Sequence, residues 1–336
     1  MNGEGGWVVT FGEAMVRMTP PGNERLERTT TLNLTVGGAE LNSAATLACL
    51  DIPTTWVSRL PDAPLGRMIA RGARAANVDL AHVQWAPESA GRAGVYFLEE
   101  ASDPRASAVY YDRANSAFAN LAPGSLNWST ILRRARALHI SGITPALGPG
   151  PRAETLSAIR AANAAGVPVA FDLNYRSKLW SESEARACFV EIVPLVDILF
   201  ASRGTLRTFF GIDGDPSAVL EQARTRLGLA VTVLSRKRGK ASRSVRLGSL
   251  AMGPEGEMVE GPWRSVEVVD RLGGGDAFAG GFIAGYISDH DDIAGALALG
   301  SATQALKHTM PGDFLCVTRE EIMAAMESTE GGVLQR

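Results

Sequence analysis

Val268-Val269-Asp270-Arg271-Leu272-Gly273-Gly274-Gly275-Asp276-Ala277-Phe278 joins an extended segment to a helix through three consecutive glycines. Phe278, Phe282 and Tyr286 recur at i, i+4 and i+8, so the helix that opens at Asp276 has one apolar face. Three residues without Cβ let a ligand reach the backbone N–H groups of the turn. A helix N-terminus adds exposed donors and the positive end of its dipole. Together they form an anion site suited to phosphate. Asp276 has two readings on this pattern alone. It caps the helix, or it accepts a proton from an attacking hydroxyl while negative charge passes through the turn, because a carboxylate would only repel a phosphate that simply bound there.

Working outward, short apolar runs alternate with helical patterns. Trp7–Phe11, Thr54–Ser58, Ala137–Ser141, Val167–Asp172, Val196–Phe200 and Leu229–Leu234 read as strands. Ala39–Leu50, Leu65–Asn77, Arg152–Ala165, Ser217–Leu227, Asp276–Ile287, Asp292–His308 and Thr318–Met326 read as helices. This alternation predicts an α/β fold, a mostly parallel central sheet flanked by helices, with ligands beyond the carboxyl ends of its strands. Two early stretches break the rhythm. Arg17–Val36 is polar and helix-poor. In Gly91–Ala117 the runs Gly94–Leu98 and Ala108–Tyr111 read as an extended hairpin. We expect these to pair into a small β-sheet lid, formed by roughly 13–37 and 91–117, within a single domain spanning 1–336. Residues 328–336 read as a flexible tail.

Composition narrows the function. Hydrophobic residues make up 46% of the 336 and charged residues 21%, an ordinary globular balance. Thirty-three Lys and Arg against 36 Asp and Glu give a net charge of −3, which argues against a nucleic-acid partner held by phosphate neutralisation. Cys49, Cys188 and Cys316 and the four histidines show neither disulfide nor zinc spacing. There is no basic segment leading into an apolar one at the N-terminus and no 18-residue apolar run, so no membrane span and a cytoplasmic location are expected. Gly148-Pro149-Gly150-Pro151-Arg152-Ala153 fits GxGxxA only superficially, and Arg238–Ser242 lacks the upstream glycine of a P-loop.

Val269–Phe278 resembles the second signature of the ribokinase-like (PfkB) carbohydrate kinases, and Gly37-Gly38-Ala39-Glu40-Leu41-Asn42-Ser43-Ala44 resembles their first. Within that family the chain is most similar to the 2-keto-3-deoxygluconate kinases, along Trp56–Pro61, Tyr110–Ala117, Ser141–Leu147, Asp172–Trp180 and Lys307–Phe314. The resemblance implies a ribokinase-like fold with a small β lid, and transfer of phosphate from Mg-ATP to the terminal hydroxyl of 2-keto-3-deoxygluconate. It makes Asp276 the general base in the Gly273-Gly274-Gly275 turn. It implies Gly37, Gly38, Asn42, Tyr96, Tyr111, Arg113, Ile143, Arg176 and Asp313 on the substrate side, and Ser202, Ser235, Arg236, Gly273, Gly275 and His308 on the nucleotide side. A monovalent cation such as K⁺ near the turn and a homodimer joined through the lid are also implied. Chemically, Arg113 and Arg176 suit the carboxylate of a sugar acid, since a guanidinium fork binds it bidentately. Tyr96 and Tyr111 suit a lid that covers the sugar.

The chain also departs from the family. Many relatives carry Asn-x-x-Glu or Asn-x-x-Asp after the strand ending here at Phe200, a motif that orders the Mg²⁺ water shell. Ser202 and Thr205 stand at those positions. Leu272 replaces a common Thr. The segment Ser235–Ser244, with Arg236, Lys237, Arg238, Lys240 and Arg243, either clamps ATP phosphates or is a solvated basic turn. Two alternatives remain open: a kinase for another sugar (keto-deoxygalactonate, fructose or ribose), and a catalytically weak sensor of sugar acids.

Overall fold

The computed structural model describes residues 6–102, 104–238 and 244–327. Lys240, Arg243 and the tail at 328–336 lie outside the described residues.

A ten-stranded sheet forms the core. Its parallel part runs, in spatial order, Val83–Ala86, Thr54–Pro61, Trp7–Phe11, Ala135–Ser141, Val169–Asp172, Ile198–Ala201, Val231–Arg238. Alternate residues of each strand point to opposite faces. Val8, Ala137, Ala170, Ile198 and Val231 pack with Phe278, Phe282 and Leu297 from the helices Gly274–Ser288 and Ile293–His308. Val9, Leu138, Phe171 and Leu199 pack on the other side with Ile159, Phe189, Leu206 and Leu220 from Pro149–Ala164, Glu182–Ile192, Arg203–Phe210 and Pro216–Leu227. Burial on both faces is why the strands are near-continuous apolar runs. The aromatic face expected on the helix after the glycines is present, with ring centroids 6.4 Å apart for Phe278 and Phe282 and 6.3 Å for Phe282 and Tyr286.

The chain steps from Trp7–Phe11 first to Thr54–Pro61 on one side and later to Ala135–Ser141 on the other. This reversal opens a crevice at the carboxyl ends of those strands, the place where such sheets hold ligands.

A separate four-stranded sheet has the order Asn33–Gly37, Met15–Thr19, Val95–Glu99, Ala108–Asp112. Its outer pairs are antiparallel and its central pair is parallel. The two segments that interrupted the α/β rhythm therefore do pair with each other.

The structure also differs from the sequence reading in places. Helix Pro149–Ala164 begins three residues before Arg152, because Pro149 occupies the first turn, where a missing N–H costs nothing. Helices Glu182–Ile192 and Arg203–Phe210 were not anticipated, although each opens with a capping box, Ser181 with Glu184 and Ser202 with Thr205. Strand Val231–Arg238 runs past Leu234 because its polar end pairs antiparallel with Ser244–Met252, itself flanked by Met258–Glu260 and Arg264–Glu267. Pairing with distant partners decides these edge strands, not local propensity.

Candidate active site

One pocket gathers every position expected on the substrate side. Gly37, Gly38 and Asn42 reach it from the turn into helix Ala39–Cys49. Tyr96 and Tyr111 come from the small sheet, and Arg113, Ile143 and Arg176 from loops after strands. Asp313 and the glycine-turn residues Leu272, Gly273 and Asp276 complete it. A second groove is lined by Asp172, Asn174, Ser202, Thr205, Ser235 and Gly275, among others. Gly273 thus faces the first cavity and Gly275 the second, and the turn lies between them.

Asp276 sits in the first turn of helix Gly274–Ser288, whose N-cap Gly273 supplies no capping side chain. The first-turn N–H groups are left for a ligand, as the anion-site reading requires. The capping reading of Asp276 does not hold, since the N-cap is three residues upstream. Its Oδ2 accepts a 2.6 Å hydrogen bond from Asn42 Nδ2, and Asn42 Oδ1 in turn accepts from Gly38 N at 3.2 Å. Ser43 Oγ donates to the Asp276 carbonyl at 3.0 Å. Burial pushes the carboxyl up to about 6, against the opposing pull of Asn42 and Arg176. Such a group is ionised at neutral pH yet basic enough to take a proton.

Gly37 passes close to the Tyr96–Asp313 pair: a Cβ there would lie 2.4 Å from Asp313 Oδ2 and 2.7 Å from Tyr96 Oη. Tyr96, buried, donates to Asp313 Oδ2 at 2.7 Å and lies beside the half-exposed Tyr111 at 5.7 Å between ring centroids. The arginines differ. Arg113 is paired inside the protein, donating from Nε (2.8 Å) and Nη2 to Glu13 Oε2, while Ser116 donates to Glu13 Oε1. Arg176 is exposed at the pocket, and its charge holds down both Asp276 and Asp172.

On the nucleotide side, Ser202 and Thr205 are occupied with each other: Thr205 N donates to Ser202 Oγ at 3.1 Å and Ser202 N to Thr205 Oγ1 at 3.0 Å. They keep the helix-start geometry but bring no carboxylate. Asp172, at the end of strand Val169–Asp172, does, and burial together with Asp276 pushes it up to about 7. Arg236 is engaged elsewhere, 2.7 Å from Glu260 and with its guanidinium 4.8 Å from the Trp263 ring centroid, while Arg238 lies 4.4 Å from the same ring. His308 packs under the turn, its Nδ1 donating to Gln304 O at 2.8 Å. A Cβ on Gly274 would strike its ring at 2.1 Å.

Sequence reading missed Glu13, Asp172, Arg17, Asp270 and Lys307. Glu13 and Asp172 had a signal, since both stand at or just beyond the carboxyl end of a buried strand. The other three form a buried charge cluster that no local pattern marks.

Residues 7–319 match the model of the pfkB family carbohydrate kinases. A 2-dehydro-3-deoxygalactonokinase of Haloferax volcanii is 36% identical over 326 residues, covering 97% of this chain and 98% of its own. The crystal structure of a 2-dehydro-3-deoxygluconokinase from Thermotoga maritima superposes with a TM-score of 0.92 at 32% identity, covering 97% of this chain and 99% of that one. A putative ribokinase II from E. coli in complex with ATP and Mg²⁺ shares the fold, with a TM-score of 0.81 at 21% identity over 96% and 99% of the two chains.

Proposed function

The chain belongs to the pfkB family of carbohydrate kinases, and on that premise we propose that its acceptor is a 2-keto-3-deoxy sugar acid, 2-keto-3-deoxygluconate or its galactonate epimer, phosphorylated on the terminal hydroxyl. The observation that carries this reading is the exposed, pocket-facing Arg176 in the same cavity as Asp276, with Arg113 held beside it by Glu13. A guanidinium fork suits a carboxylate at one end of a substrate whose other end meets the base. The names of two relatives, a 2-dehydro-3-deoxygalactonokinase and a 2-dehydro-3-deoxygluconokinase, favour the same compound class, while others are named 5-dehydro-2-deoxygluconokinase, kinases of another deoxy keto acid.

Asp276 acts as the base. Its carboxylate takes the proton of the acceptor hydroxyl as that oxygen bonds to the γ-phosphorus of ATP and the bond to the β,γ-bridging oxygen breaks, releasing ADP. Asn42 fixes the rotamer of the carboxylate, and the first-turn N–H groups stabilise the transferring phosphoryl oxygens. Tyr96 and Tyr111 on the small sheet cover the sugar and limit water. The exposed Leu34 and Tyr110 on that sheet support a homodimer through it.

The Mg²⁺ that accompanies ATP neutralises phosphate charge. Among the described residues no group of three or more His, Cys, Asp or Glu side chains is placed to hold a metal. Phosphates and water would supply most of the ion's partners, and Asp172, which lines the nucleotide groove, would be the protein carboxylate that faces it. Asp172 takes the place of the acid that Thr205 does not supply. Asp172→Asn should raise the Mg²⁺ concentration giving half-maximal rate about 10–100-fold, as expected for one lost charge-assisted hydrogen bond. An unchanged Mg²⁺ titration would remove Asp172 from this role.

ADP release with Mg-ATP tests the substrate across 2-keto-3-deoxygluconate, its galactonate epimer, fructose, ribose and no sugar. Turnover confined to the keto-deoxy acids supports the reading, and the faster epimer names the substrate. Fast turnover on a neutral sugar discards it. Arg176→Met should raise KM for the acid about 10–100-fold and leave any neutral-sugar rate unchanged. An equal effect on both would show that Arg176 does not read the carboxylate.

A further inference from the structure

Arg17 lies on the small-sheet strand Met15–Thr19 and is 3% exposed. Its guanidinium reaches out of its own sheet. Nη1 donates to Asp313 Oδ1 at 2.9 Å and pairs with Asp270 Oδ2 at 2.7 Å. Nε donates to Thr19 Oγ1 at 2.9 Å, and Nη2 lies 3.5 Å from Glu100 Oε1, next to the neighbouring strand. Both carboxylates it grips have second duties. Asp313 Oδ2 accepts from Tyr96 in the pocket. Asp270 Oδ1 accepts from Leu272 N and its Oδ2 from Gly312 N, each at 3.0 Å. Leu272 is the residue immediately before the three glycines and itself lines the pocket.

Asp270 and Asp313, both buried, are balanced by two buried cations, Arg17 and Lys307. Lys307 is fully buried and donates to Met310 O at 3.3 Å. A charged group is taken this far out of water only when its partners are fixed. Arg17 is the one of the two cations that the small sheet carries.

We propose that Arg17 is a positioning residue that couples the seating of the small sheet to the shape of the glycine turn. When the sheet is seated, the guanidinium holds the Asp270 carboxylate where it receives Leu272 N and Gly312 N, and the turn takes the form that presents its donors and Asp276. When the sheet shifts, Asp270 loses its cation and the turn loosens. The planar guanidinium bridges the two carboxylates through Nη1 while Nε holds Thr19 and Nη2 faces Glu100, a spread of contacts that a compact ammonium does not reproduce. The inference rests on the proposed role of Asp276 as base, but one of its tests does not.

That test is hydrogen exchange on the purified protein. Arg17→Met should speed exchange of the amides in 268–275 about tenfold or more, with helix Pro149–Ala164 unchanged. On the panel sugar that the wild type phosphorylates, kcat should fall about 100-fold, as for a small misplacement of reacting groups, while the calorimetric Kd for that sugar changes less than about threefold. Arg17→Lys should fall between wild type and Arg17→Met. If Arg17→Met does not fold, Asp270→Asn approaches the same link from the turn, and should speed exchange in 95–99 on the small sheet. Faster exchange confined to the mutated element, or a Kd that weakens as much as kcat falls, overturns the proposal. Since exchange needs no sugar, a silent sugar panel sinks the substrate reading and leaves this one to be decided by its own readout.

Discussion

Asp276→Asn is expected to lower kcat about 10²–10⁴-fold, the range that a positioned base supplies, while sugar binding stays near wild type. The amide is nearly isosteric and can still accept from Asn42 Nδ2, so the contact at 2.6 Å and the pocket wall survive. Only the capacity to take a proton is lost. Calorimetry with the sugar acid and steady-state ADP release separate the two effects, and turnover within threefold of wild type would end the assignment of Asp276 as base. The pH profile gives a second check. The reactive form is the carboxylate, and burial pushes this group up to about 6. The rate should therefore rise with pH through about 6 and be roughly a tenth of its plateau at pH 5. The acid limb should vanish in Asp276→Asn, whose residual activity has no such group.

The same shift bears on stability with a definite sign. A carboxyl raised from 3.8 to about 6 binds its proton more tightly in the folded chain than in the unfolded one. Its contribution to stability is therefore lost as pH rises between those values. Asp276→Asn should accordingly melt above wild type at pH 8 and gain less at pH 4. This is the direction in which active-site replacements trade activity for stability.

Gly273→Ala is expected to abolish most activity by a different route. Gly273 has φ +79°, in the left-handed region, where an alanine costs about 1–2 kcal/mol. The added Cβ would lie 2.0 Å from the Asp313 carbonyl oxygen and 2.9 Å from its carbon. Backbone, not a flexible side chain, stands in the way, so the turn and the Asp313 loop must separate. Three residues on, Asp276 moves with the turn. A displacement of about 1 Å costs about 10²-fold in rate, and thermal unfolding should show a lowered Tm as well. Gly275→Ala is the informative contrast. A Cβ at Gly275 meets nothing within 4 Å. The fold should be kept, and the cost should fall on KM for ATP, because that glycine faces the nucleotide groove. If Gly273→Ala kept wild-type kcat, the turn would not be the element that places the base.

How much of this was legible in the sequence differs from element to element. Trp7–Phe11 and the helix after the glycines were legible because their signal is local: an apolar run of strand length, and aromatic residues recurring every fourth position. The small sheet was legible as an interruption, though its strand order was not. Strands Ser244–Met252, Met258–Glu260 and Arg264–Glu267 were not legible, since each is defined by a partner distant in sequence. Ser202 and Thr205 were correctly seen as lacking a carboxylate, but nothing in their neighbourhood said that Asp172, some thirty residues earlier, lines the same groove.

The sequence by itself determined the α/β class, the glycine turn with an acid behind it, and the two signatures that mark a carbohydrate kinase, because periodicity, missing Cβ atoms and short spacings are all local properties. Only the tertiary structure decided that Arg113 is paired with Glu13 while Arg176 faces the pocket, that Asp172 shares a groove with Gly275, and that Arg17 joins Asp270 to Asp313. The physical reason is the same in each case. The value of a charge depends on which other charges folding brings within a few ångströms and on how much water it takes away, and neither quantity is written in any one stretch of chain.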